Sequence, residues 1–342
     1  MKRSIMALVL LFPVLFSSCG KNKVETLTYA VYPYLPDAGY YQDLIERRWA
    51  EAEPDIKLIR VEWDCYYDEL PDDVDVLMYD AVMRDTLIEN GSIRPISPDE
   101  ITDPDDIYPF ALDGLTVDDK LYGIPVFLCG NFLMYDKKCS ALAEAEHLTD
   151  LSDQEDIIVI NSDNPLNRPQ YVREVLADTM GEANPGETND EDELMACIDR
   201  LAVDAHKGDE DAQVAAAYDS GSGMGYIGFS ESIRLLDERI SDTGIRSISF
   251  SDKDDTLRLY VDAVAMNSKV DGQRYDKCIE LMNIIADAKV LSDVSVYDGK
   301  PQYLLLARKS PYEELSDRFP LYIQLEDLAS DENNNVILGP RP

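Results

Sequence analysis

Cys129 lies in the stretch Tyr122-Gly-Ile-Pro-Val-Phe-Leu-Cys-Gly-Asn-Phe-Leu-Met-Tyr-Asp136. An apolar, strand-like run reaches a single thiol, is broken by Gly130 and Asn131, and then resumes. A thiol at such a break can face a cavity while the strand on either side stays paired. Covalent chemistry there needs the thiolate, so a base must stand within hydrogen-bond reach. Glu231, in Tyr226-Ile-Gly-Phe-Ser-Glu-Ser232, falls between a strand end and an expected helix start and could serve. An ordinary glutamate near pKa ~4.3 is a poor base for a thiol near ~8.5, a gap of about 6 kcal/mol. Burial and neighbouring carboxylates raise the glutamate and narrow that gap. Asp80, closing Asp75-Val-Leu-Met-Tyr-Asp80, and Asp262, inside the apolar run Leu257 to Met266, are placed to contribute.

Each residue also has a plainer reading. Cys129 alone fits a core cysteine, and Glu231 alone a first-turn acid facing a helix dipole. Asp80 and Asp262 alone fit buried, hydrogen-bonded acids. Tyr32 and Tyr34, in the proline-stiffened loop Tyr32-Pro-Tyr-Leu-Pro-Asp37, fit loop packing. Their shared position at strand ends is what favours function.

The elements that must hold these groups follow from periodicity. Leu27 to Val31 reads as a strand, Gly39 to Ala52 as a helix stopped by Pro54, and Ile56 to Trp63 as a second strand. Asp75 to Asp80 is a third strand, and Met83 to Glu89 a helix closed by Asn90-Gly91. This order predicts a doubly wound α/β lobe with ligands at the carboxyl ends of parallel strands. A hairpin around Asp118-Asp119 precedes the Cys129 segment. Beyond it, Ile157 to Asn161 is a strand, while Pro169 to Met180, Asp190 to Ala205 and Asp209 to Tyr218 are helices. The turn Ser220-Gly-Ser-Gly-Met-Gly225 is no phosphate loop, since no lysine follows and a strand comes next. Ile233 to Arg239 is expected to be helical, Leu257 to Met266 extended, and Arg274 to Ala288 helical.

With 342 residues and 45% hydrophobic content the chain can bury a large core. Its net charge of −37 excludes nucleic acid and anionic lipid as charge-matched partners and favours cations, although it also serves solubility. With only two histidines and no Cys-x-x-Cys pair, no zinc pattern is visible. Lys2, Arg3, the apolar run Met6 to Phe16 and Ser17-Ser18-Cys19-Gly20 resemble a bacterial lipoprotein processing site. That resemblance implies removal of 1–18, a lipid on Cys19, and 19–25 as a tether. The other reading is an ordinary secretory signal; either way the mature chain is expected outside the cytoplasm.

Collinear blocks then carry a family resemblance. The Tyr-Gly-Ile-Pro segment and Leu-Met-Tyr-Asp-Lys resemble two-lobed extracytoplasmic solute-binding proteins of type II. Tyr32-Pro-Tyr-Leu-Pro-Asp37, Trp63-Asp-Cys-Tyr66, Pro71 to Asp80, Tyr122 to Cys129, Tyr226 to Ser232, Tyr260 to Lys269 and Pro301 to Arg308 together resemble type I thiaminases (thiamine pyridinylases). The resemblance implies an α/β fold with a ligand cleft between lobes, lobe one being 26–132 with 265–308 and lobe two 133–264 with 309–342. It implies a nucleophile at Cys129, an acid/base at Glu231, and pocket residues Tyr32, Tyr34, Tyr66, Asp80, Tyr260 and Asp262. Where the family commonly has Tyr, this chain has Phe229. The expected substrates are thiamine and a small amine or thiol, with no metal or organic cofactor. A monomer is expected, touching a membrane only through the lipid on Cys19. The alternative is a thiamine- or pyrimidine-binding lipoprotein of an importer, without catalysis.

Overall fold

The structure, a computed structural model, describes residues 24–31, 33–164, 170–171, 174, 189–250 and 256–338. Cys19 and its processing site, Tyr32, and most of the helix expected over Pro169 to Met180 lie outside the described residues.

Strand β1 (Thr26–Ala30) passes into the helix Ala38–Ala52, whose Tyr41, Leu44, Ile45 and Trp49 form its buried face. The chain returns in β2 (Lys57–Arg60), parallel to β1, and then in β3 (Val76–Asp80), parallel on the other side of β1. β4 (Ile93–Arg94) is followed by the hairpin of β5 (Thr116–Val117) and β6 (Lys120–Leu121). Its turn residues Asp118 and Asp119 sit at φ 49° and 59°, as a two-residue turn matched to strand twist requires. β7 (Ile124–Cys129) and β8 (Asn131–Asp136) follow one another yet enter different sheets. β9 (Ile158–Val159), β10 (Gly225–Phe229) and β11 (Thr243–Ser247) join β8 in a sheet ordered β11-β8-β10-β9. β12 (Arg258–Asn267) goes back to the larger sheet. β13 (Val296–Tyr297) and β14 (Lys300–Pro301) form a small hairpin, and β15 (Leu305–Leu306) and β16 (Asn335–Val336) close the order. The larger sheet runs β15-β7-β12-β3-β1-β2, with β4 and β16 also paired to β12.

The result is a two-lobed α/β fold in which the chain crosses between sheets at Gly130 and again ahead of Arg258. A boundary at 264/265 cuts β12 in two. β12 pairs with β3 from Asp262 to Met266 and with β7 from Tyr260 to Val264, so the whole strand belongs to the larger sheet. The parallel winding read from the sequence describes β1 to β3, while β12 is inserted antiparallel between β3 and β7. Its first residues therefore lie beside the last residues of those two strands.

Two local features explain sequence motifs. A Cβ on Gly123 would sit 2.9 Å from the Val264 carbonyl oxygen, so the glycine of Tyr-Gly-Ile-Pro lets β7 approach β12. The segment after β10 is a 3-10 turn, Ser230–Leu235, rather than the expected α-helix from Ile233. The Ser232 hydroxyl donates to the Phe229 carbonyl at 2.6 Å and tightens the chain there. The helix Leu321–Ala329 packs against both β11 and β15, and Gln324 accepts from the Ile245 N–H at 2.9 Å. It thereby ties the smaller sheet to the larger.

Candidate active site

Strand register assembles the larger lobe's share of the site. Tyr260 is the Cα partner of Cys129, and Asp262 is the partner of Asp80. Side chains directly opposed across antiparallel strands share a face, and alternate residues of one strand do too. Cys129, Tyr260, Asp262 and Asp80 therefore occupy one face at one end of the sheet. Asp80 and Asp262 are 1% and 3% exposed, whereas Cys129 is only half-buried. Burial keeps the acids dry and leaves the thiol reachable.

Asp80 also ends β3, and its carboxylate caps the turn that follows by accepting from Val82 N–H at 3.0 Å. Its second oxygen accepts from the Tyr66 hydroxyl at 2.6 Å. The Tyr66 ring meets Tyr34 at 5.7 Å between centroids, and Tyr34 donates to Asp64 at 2.6 Å. That bond to a carboxylate, more than burial, pushes the Tyr34 phenol up to about 12. Asp64 further accepts from the Tyr66 N–H at 2.9 Å. Asp64, in the irregular stretch Trp63-Asp-Cys-Tyr-Tyr67, carries no periodic signal in the sequence. Tyr66, Val82, Met83, Tyr260 and Ile337 pack with Cys129 in one apolar cluster.

Glu231 comes from the smaller lobe. β10 pairs antiparallel with β8, Phe229 opposite Asn131. Continued two residues, the same register would set Glu231 level with Cys129, just where both strands have ended. Burial is the largest influence on its carboxyl and raises its pKa, Arg234 pulls it down, and the negative Asp211 pushes it further up. Asp211 is held by the Asn161 amide at 2.7 Å, and Asn161 accepts from Tyr171 at 2.6 Å. Since a six-residue 3-10 turn replaces the expected helix, a helix dipole is a weak explanation for this acid.

Cys65 and Cys278 differ from Cys129 in being buried. Cys65 lies near Asp80 and Asp262, but burial above all pushes its thiol up to about 12. Cys278 is pushed to about 12 by burial as well. Such thiols stay protonated and inert. Among the described residues no group of His, Cys, Asp and Glu is arranged to hold a metal ion. No helix among them is long and apolar enough to cross a membrane. A groove of about 680 Å³, bordered by Arg48, Asn283, Lys289 and Arg308, opens elsewhere and shares no residue with the constellation.

Comparisons with known proteins bear on the family and the fold. No family model matches the chain. Thiaminase-1 of Paenibacillus thiaminolyticus is 29% identical, the match covering 99% of this chain and 91% of that protein. Clostridium botulinum thiaminase I, solved in complex with thiamin, superposes at a TM-score of 0.82 with 29% identity over 92% of this chain and 94% of the other. A maltose-bound binding protein of T. maritima, at 12% identity and a TM-score of 0.64, covers 93% of this chain and 90% of its own and shares the fold alone. The resemblance read from the sequence is borne out: the chain is a relative of the type I thiaminases, built on the two-lobed fold of the type II solute-binding proteins.

Proposed function

We propose that the protein is a thiamine-degrading transferase that works through Cys129. The observation that carries this reading is the strand register: a half-buried thiol, two buried aspartates and a buried tyrosine on one sheet face, with Glu231, its pKa raised, in the turn that follows β10. Glu231 takes the thiol proton, and its raised pKa brings it closer to the thiol's. Cys129 Sγ then bonds to a carbon of the pyrimidine ring. The ring's electrons move toward the bridging methylene, and its bond to the thiazolium nitrogen breaks. The departing thiazole keeps that electron pair and leaves neutral. An amine or thiol attacks the methylene and loses its own proton to solvent. The electrons return through the ring, and the Cys129 thiolate is expelled and reprotonated by Glu231.

Asp80 and Asp262 provide the negative surroundings that suit a cationic substrate. Tyr34, Tyr66 and Tyr260 offer faces to its flat rings, and the family resemblance gives Tyr32 a part in binding as well. The chain acts as a monomer without a metal or organic cofactor. It is exported and held at the membrane by a lipid on Cys19; a Cys19→Ser chain that still partitions with membranes would contradict the anchor. The enzymatic reading is tested by incubating the protein with thiamine and aniline. Thiazole release by the wild type and none by Cys129→Ser is expected. Stoichiometric thiamine binding without release would favour an importer's binding protein instead.

A further inference from the structure

The crossover next to Cys129 is gripped by a buried acid that the proposed chemistry does not use. Glu174, 6% exposed, accepts through one oxygen from the backbone N–H of Asn131 at 3.3 Å and from its side-chain amide at 3.1 Å. Asn131 is itself 6% exposed and stands two residues after the thiol, at the point where the chain leaves one sheet for the other. It is also the register partner of Phe229, two residues before Glu231. One helical turn away from Glu174, Tyr171 donates to Asn161, which holds Asp211, the acid whose charge raises Glu231. A single turn of chain thus touches the thiol's strand end on one side and the surroundings of the base on the other.

From this geometry we infer that Glu174 is a positioning residue, which fixes the end of β7 against the end of β10 so that Cys129 and Glu231 meet. A buried carboxylate is costly unless it is hydrogen-bonded, and two bonds to one asparagine direct that cost toward fixing a single backbone position. Asparagine suits the place because its amide gives the carboxylate a second donor where most side chains would give none. A shift of about 1 Å between thiol and base is enough to slow covalent catalysis on the order of a hundredfold.

The inference rests on the reading of the site as a thiaminase, so two readouts are needed. In Glu174→Ala, kcat for thiazole release is expected to fall about tenfold or more with KM changed by less than about twofold, the pattern of a lost reacting geometry rather than of lost binding. Iodoacetamide labelling of Cys129, followed by peptide mass, should slow several-fold in the same variant, because the thiol loses its base. Where Glu174→Ala fails to fold, Asn131→Asp, which sets a carboxylate against Glu174 in place of the amide donor, serves as the disrupted protein. The exchange Glu174→Gln with Asn131→Asp restores a donor–acceptor pair, and it should recover both kcat and labelling. Wild-type protein that never cleaves thiamine would remove the functional reading, while slowed labelling of Cys129 would still support the positioning role. A folded Glu174→Ala or Asn131→Asp protein with wild-type kcat and wild-type labelling would overturn it.

Discussion

Asp80 and Asp262 face each other across antiparallel strands, both almost fully buried, at the end of the sheet where Cys129 pairs with Tyr260. Directly opposed side chains in such a pair have Cβ atoms about 5 Å apart, a distance at which like charges destabilise the strands. A fold that keeps two acids there gives up stability for a negative pocket.

Neutralising one of them should therefore separate stability from binding. Asp262→Asn is expected to melt at or above the wild-type temperature. Its KM for thiamine should rise roughly 10- to 100-fold, since a charged hydrogen-bond partner is worth about 1.5–3 kcal/mol. Thermal melts and steady-state kinetics on the same preparation check this. A lower melting temperature with unchanged KM would mean that the aspartates are structural.

Glu231 makes a prediction about pH. Its folded pKa lies above that of the unfolded chain because burial disfavours the charged form. The native state thus holds the proton more tightly, a contribution that is fully present below the ordinary value near ~4.3 and lost as pH rises through the raised folded value. Above that folded value the wild type bears the cost of the desolvated charge. Glu231→Gln should then be the more stable protein at pH 7, with the difference closing as pH falls toward ~4, while turnover is lost. Denaturation midpoints across pH 4–8 test both the sign and the window.

Arg274 is a control far from the chemistry. It pairs with Asp75 through both carboxylate oxygens, and Asp75 also accepts from the backbone N–H and hydroxyl of Thr28 at 2.7 and 2.9 Å. Asp75 is 6% exposed, so removing its partner leaves a buried charge with incomplete compensation. Arg274→Ala should cost about 3–5 kcal/mol of stability and leave kcat per folded molecule unchanged. Denaturant unfolding with active-site titration measures both.

Much of this arrangement is legible in the sequence. Alternation and Pro/Gly punctuation located β1, β3, β7, β10 and β12 to within a residue or two, because buried strands read as apolar runs. Asp80 and Asp262 stood out as acids within such runs. What pairs with what was not legible. The sequence does not say that β12 enters antiparallel between β3 and β7, and it is that insertion which sets Asp262 against Asp80 and Tyr260 against Cys129. Pairing is fixed by packing far along the chain, so nothing local in the sequence marks β12 as one strand across 264/265. Asp64 and Glu174 are not legible because a lone acid in a mixed stretch shows its partner only once the chain has folded. The residues of Ser230–Leu235 are compatible with an α-helix or a 3-10 turn, and a single Ser232 bond helps select the tighter form.

The most direct measurement is the intact mass of the protein after exposure to thiamine with no second nucleophile, followed by peptide mapping. A nucleophilic Cys129 predicts a mass gain equal to one pyrimidinylmethyl group, located on the peptide containing Cys129 and absent in Cys129→Ser. Thiazole released by the wild type without any such adduct, or an adduct on a different residue, would contradict it.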